Sequence, residues 1–147
     1  MKRITTGLSV KVWVALSVVL IAADCEDNPV SSVEASLYQD VKLKVGQQAF
    51  IKGENLTITF VNVVEDSRCP IGLECFWEGN GKIVLDVKKS DSPPASLSLN
   101  TSLEPRRSAY LNYLITFKAL DPYPHRDTRI NERDYLATVI VSRYDVR

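Results

Sequence analysis

The chain has 147 residues, a length that favours a single domain. Charged residues make up 24% and hydrophobic ones 45%, which excludes a disordered chain. Lys+Arg and Asp+Glu both number 18, so no bulk charge draws the protein to nucleic acid or to anionic lipid.

The first residues read as an export signal, assigned to 1–24. Lys2 and Arg3 form a positive start, Val10 to Ala22 an apolar core interrupted by Lys11 and Ser17, and Ile21-Ala22-Ala23 a small-residue cleavage region. Leu8 to Ala23 is 16 residues with a lysine inside, short of the ~20 that span a bilayer. Removing 1–24 takes three bases (Lys2, Arg3, Lys11) and one acid (Asp24) from 18 of each, leaving a net charge of −2. Leu20-Ile21-Ala22-Ala23-Asp24-Cys25 resembles a bacterial lipobox, which implies lipidation of Cys25 and membrane attachment through that lipid. Asp24 departs from the small residue that pattern places before the cysteine; ordinary cleavage after Ala23 is the alternative, giving a soluble secreted product. Residues 25–36 are expected to be a flexible tether, because Glu26 to Glu34 is polar and carries a proline.

From 37 to 147 the apolar period is two, the signature of strands. Val41, Leu43 and Val45 alternate with Lys42 and Lys44, and Gln47 to Lys52 follows as a second short strand ending at Gly53-Glu54-Asn55. Leu56 to Val64 is the strongest strand, with a parity change after Phe60 that predicts a bulge. Gly79-Asn80-Gly81 suits a tight turn before a strand carrying Ile83, Leu85 and Val87, and Ser96 to Asn100 is a short strand. Leu103 to Ser108 reads as a loop. Leu111, Tyr113, Ile115, Phe117 and Ala119 share one face of a long strand. A polar loop over 122–134 precedes the last strand, Tyr135 to Tyr144, with Ala137, Val139 and Val141 inward. About seven strands with little helix predict a single antiparallel β-sandwich, immunoglobulin-like in kind, with a small barrel as the alternative.

Three cysteines leave one unpaired in an exported chain. Cys69 and Cys75 are the natural pair; closing so short a loop contributes roughly 2 kcal/mol by chain entropy. The surrounding segment, Glu65-Asp66-Ser67-Arg68-Cys69-Pro70 through Cys75-Phe76-Trp77-Glu78-Gly79, resembles a family of small bacterial envelope proteins. That family is built around a DSRCP-x4-C-x-W-x-G segment. The likeness continues in Leu120-Asp121-Pro122-Tyr123-Pro124 and covers roughly Leu43 to Val141. It implies an exported β domain and carries no activity. Trp77, next to the bridge, is expected to pack over it or into the core.

Chemistry is sparse. Glu65, Asp66, Glu74 and Glu78 are near one another, but no calcium-loop spacing joins them, and no metal or cofactor is expected. His125 is the single histidine and lies in a polar loop, and Ser67 lacks a nucleophile-elbow context, so no catalytic residue is assigned. Asn55-Leu56-Thr57 and Asn100-Thr101-Ser102 match the glycosylation sequon, a chance match if the host is bacterial as the lipobox resemblance implies. The candidate binding surface is Glu65, Asp66, Arg68 and Glu78 from the cysteine segment with Tyr123, His125 and Arg126 from the later loop. The leading expectation is a non-enzymatic, lipid-anchored envelope module that binds another envelope protein or a small ligand. The alternatives are a secreted inhibitor of extracytoplasmic hydrolases and a small carboxylate-dependent enzyme.

Overall fold

The computed structural model describes residues 32–144. The signal segment, Cys25 and the start of the tether lie outside the described residues.

Nine strands form: β1 (Ser32–Ala35), β2 (Asp40–Lys44), β3 (Gln48–Ile51), β4 (Leu56–Asp66), β5 (Gly81–Lys89), β6 (Ala95–Asn100), β7 (Arg107–Tyr110), β8 (Tyr113–Asp121) and β9 (Leu136–Arg143). They make two sheets, β1-β3-β4-β5-β6 and β2-β9-β8-β7, whose apolar faces meet. Both sheets have free edges, so the fold is a sandwich and not a barrel. One sheet contributes Ile51, Leu56, Ile58, Phe60, Ile83, Leu85 and Leu99 to the core, and the other Leu43, Tyr113, Ile115, Phe117, Val139 and Val141. The alternation in the sequence produces this directly, since residues two apart share a face.

Four expectations are corrected. Ser32–Ala35, placed in the tether, is a strand that pairs with β3 in parallel register, so the sandwich is not wholly antiparallel. Arg107 and Ser108, expected to end a loop, instead open the strand Arg107–Tyr110, because its backbone pairs with Thr116 to Tyr113 of β8. Leu111 does not join the inward face: it occupies the two-residue turn between β7 and β8 at φ 53°, half exposed. Gly79-Asn80-Gly81 is no free turn, since Asn80 is buried and Gly81 already pairs with Asp66.

The bulge after Phe60 forms between Phe60 and Asn62, with a second irregularity between Val63 and Glu65. A further one in β8, between Phe117 and Ala119, returns Leu120 to the core where Ala119 was expected. Asn100 is buried, and its side-chain nitrogen donates to the Pro105 carbonyl, so that sequon offers no exposed amide.

Candidate functional site

The register of the sheets brings three connections to one end of the sandwich. Asp66 faces Gly81 and Asp121 faces Leu136, so the 67–80 and 122–135 segments emerge side by side. The turn after β6 joins them through Thr101, whose N–H donates to the Gly81 carbonyl.

Cys69 and Cys75 are disulfide-bonded, as expected, and the bond marks an oxidising, extracytoplasmic compartment. No described helix is long and apolar enough to cross a membrane. Between the cysteines the chain does not fold inward. Ile71 and Leu73 are about half exposed, Phe76 is fully exposed, and Trp77 is 54% exposed. Trp77 therefore does not pack into the core. The reason is local: β5 begins only at Gly81, so residues 76–78 still belong to the connection and have no sheet face to enter.

Arg68 holds this end together. Its side chain and that of Asp66 are only 5% and 9% exposed. Arg68 Nε and Nη2 donate to the two Asp66 carboxylate oxygens at 2.7 Å each, a bidentate fork. Nη1 donates to the Leu120 carbonyl, and Nη2 also reaches the Pro122 carbonyl at 3.0 Å. The guanidinium lies 5.0 Å from the Tyr123 ring centroid, a stacked cation–π contact. The Tyr135 hydroxyl donates to Asp66 Oδ2 at 2.9 Å. One arginine thus binds β4, the end of β8 and the 122–135 segment to one another.

Burial pushes the Asp66 carboxyl up, but the hydrogen bonds and charge of Arg68, helped by Tyr135, outweigh it and hold the pKa below the ordinary value. Burial, and then the Asp66 carboxylate it serves, push the Tyr135 hydroxyl up to about 12. Asp66 is consequently an ionised, saturated acceptor. A general acid needs the opposite displacement.

Further backbone bonds stitch the two long connections. Ile71 N–H donates to the Pro124 carbonyl and Arg126 N–H to the Ile71 carbonyl. Cys69 N–H donates to the Glu78 carbonyl, which closes the base of the loop independently of the disulfide. Gly79 sits at φ +75°, and a Cβ there would lie 1.9 Å from the Ser67 carbonyl oxygen, so the close approach requires glycine. Asn80 beneath it donates to Asn100 Oδ1 and accepts from the Thr101 hydroxyl and from the N–H groups of Ser102 and Leu103.

The seven expected surface residues separate into different environments. The Arg68 and Asp66 side chains are nearly buried and bonded to each other, although Asp66 also lines one hollow and Arg68 another. Glu65 is exposed, accepts from the Ser67 hydroxyl, and lines with Asp66, Arg129, Glu132 and Tyr135 an open groove of about 520 Å³. Glu78 and Tyr123 line a different hollow of about 260 Å³. His125 and Arg126 join the site through backbone pairing with Ile71, and their side chains are exposed. Glu65 and Asp66 share the groove with Glu132 while Glu78 lines the other hollow, and no described group of three His, Cys, Asp or Glu can hold a metal.

Sequence reasoning missed the apolar residues that are most exposed here, Ile71, Leu73 and Phe76. Their one signal was apolar character in a segment with no strand parity. At the far end of the sandwich a second polar cluster joins Glu54 to Tyr113 (2.6 Å) and Arg143 (2.8 Å), with Lys89 donating to Tyr113. The Tyr113 hydrogen bond is the largest influence lowering the Glu54 pKa, and Arg143 adds to it.

No family model matches the chain, and no curated protein or solved structure matches it significantly.

Proposed function

We propose that this chain is a non-enzymatic interaction module of the cell envelope, exported by its N-terminal segment and tethered through a lipid on Cys25. On this reading it docks a partner protein through the disulfide end of the sandwich. The observation that carries it is the apolar ridge of Ile71, Leu73, Phe76 and Trp77, left in water along the disulfide-pinned connection. Exposed aromatics on a fixed frame are what a docking surface supplies: large contact area at low ordering cost. A folded domain with no partner for such a ridge would leave several large apolar side chains in water without compensation. The formed disulfide supports export, and the lipobox-like run ending at Cys25 supports the tether.

The test is native electrophoresis of detergent-solubilised envelopes. Wild type should migrate as a complex larger than the chain, and a Phe76→Ser, Trp77→Ser double variant should migrate alone with an unchanged melting temperature. Identical migration of the two contradicts the reading. Membrane attachment is tested separately, by a Cys25→Ser variant that should leave the membrane fraction.

The second reading, a secreted inhibitor of extracytoplasmic hydrolases, is favoured by one observation. Phe76 projects fully into solvent next to the disulfide-closed loop, a shape that fits an active-site cleft. Inhibition within a panel of proteases and lysozymes, abolished by Phe76→Ala, would establish it; no inhibition by wild type would end it.

A further inference from the structure

The hollow beside Tyr123 is separate from the apolar ridge and has its own chemistry. It holds about 260 Å³, slightly below the ~300–1,000 Å³ of pockets for drug-sized ligands. Its walls carry Arg68, Glu78, Ser102, Lys118, Asp121 and Tyr123, with the apolar Leu120 among them. The Tyr123 ring is fixed by the Arg68 guanidinium on one side, and 43% of the residue remains exposed. A flat aromatic surface is thus held in place in the wall of a hollow whose lining mixes apolar and polar groups.

Four of the polar groups around it are uncommitted. Among the described residues, Glu78 and Asp121 carboxylates, the Lys118 ammonium and the Ser102 hydroxyl have no hydrogen-bond or ion-pair partner, whereas Thr101 nearby is bonded to Gly81 and Asn80. Two acceptors that only accept, one donor that only donates and one hydroxyl that does both surround a single space. An anionic ligand would face two carboxylates, and the Arg68 guanidinium in the wall is already committed to Asp66 and to two carbonyls. A metal ion would find no group of three ligands. A neutral polyhydroxylated ring meets every requirement: each hydroxyl donates to a carboxylate or accepts from the ammonium, and its C–H face covers the tyrosine ring.

We infer that this hollow is a saccharide-binding site, with Tyr123 as the stacking platform and Glu78, Ser102, Lys118 and Asp121 as the hydroxyl-recognising set. The site adds a ligand to the same end of the molecule and does not depend on the docking ridge. Binding at one shallow site of this size is weak, with a Kd of about 1 mM, or about −4 kcal/mol.

The test is an NMR titration of the isotopically labelled full chain with four neutral trisaccharides: chitotriose, cellotriose, maltotriose and mannotriose. At least one should move the amide resonances of Ser102, Lys118 and Tyr123 saturably in the millimolar range. Tyr123→Ala should abolish the shift and Tyr123→Phe should retain it. Ser102→Ala, whose hydroxyl has no internal partner to lose, should weaken binding about fivefold at unchanged melting temperature. Phe76→Ser should bind like wild type. Absence of a saturable shift with all four sugars overturns the inference, as does binding that survives both Tyr123→Ala and Ser102→Ala. A loss of partner docking in Phe76→Ser leaves this site standing, and a failed titration leaves the docking reading standing.

Discussion

Replacing Arg68 with alanine should be the most damaging single substitution at the disulfide end. The change removes a bidentate pair to Asp66, two hydrogen bonds to the Leu120 and Pro122 carbonyls, and the support under Tyr123. Asp66 then keeps the Tyr135 hydroxyl and little else, as a carboxylate 9% exposed with no countercharge. Removing one partner of a buried pair costs about 3–5 kcal/mol, mostly from stranding the other charge. A domain of this size loses about 4 °C of Tm per kcal/mol, so the expected drop is about 12–20 °C. Urea unfolding followed by tryptophan fluorescence gives the free energy, and calorimetry gives the Tm. Arg68→Lys should recover little, because one ammonium cannot reproduce the planar fork and also reach both carbonyls. The Cys69→Ser, Cys75→Ser double variant is the comparison: it removes a short loop closure, at about 2 kcal/mol. An Arg68→Ala loss smaller than that would refute the assignment of Arg68 as the principal fastener.

Three further outcomes follow from the same geometry. Tyr135→Phe removes one hydrogen bond to a buried carboxylate and should cost about 1.5–3 kcal/mol in urea unfolding. Gly79→Ala places a Cβ against the Ser67 carbonyl at positive φ; the backbone must move, and a loss of about 2 kcal/mol or more should appear in the same assay. The Asp66 pKa is lowered on folding, so its stabilisation is complete above the ordinary value of 3.8 and is lost as pH falls through the lower folded value. Asp66→Asn should therefore flatten the acid limb of a stability–pH curve, and a limb unchanged by this substitution would contradict the shift.

Much of the sandwich was legible because one-sided burial writes itself as alternation. Val41 and Leu43, Ile83 to Val87, and Ala137 to Val141 announce their inward faces without ambiguity. β1 was hidden because four residues with half-buried sides carry no such signal, and its pairing to β3 is a choice of the tertiary fold. β7 was hidden behind Pro105, Arg106 and Arg107, which read as a breaker and two solvated charges. Arg68 was placed on the candidate binding surface for a physical reason. Asp66 lies two residues away in sequence, but the carbonyls that make burial tolerable lie 52 and 54 residues away. Nothing local to Arg68 encodes them. The hollow was invisible for the same reason: Glu78, Ser102 and the Lys118 and Asp121 of β8 come from three segments that only the sheet register assembles.

The docking claim is tested most directly by site-specific photo-crosslinking in intact envelopes. A photoreactive residue at Phe76 is compared with one at Leu111, half exposed in the turn at the far end. The account predicts a discrete adduct of one mass from position 76, absent from position 111 and lost when Trp77 is also replaced by serine. Equal adducts from both positions, or none from position 76, would contradict it.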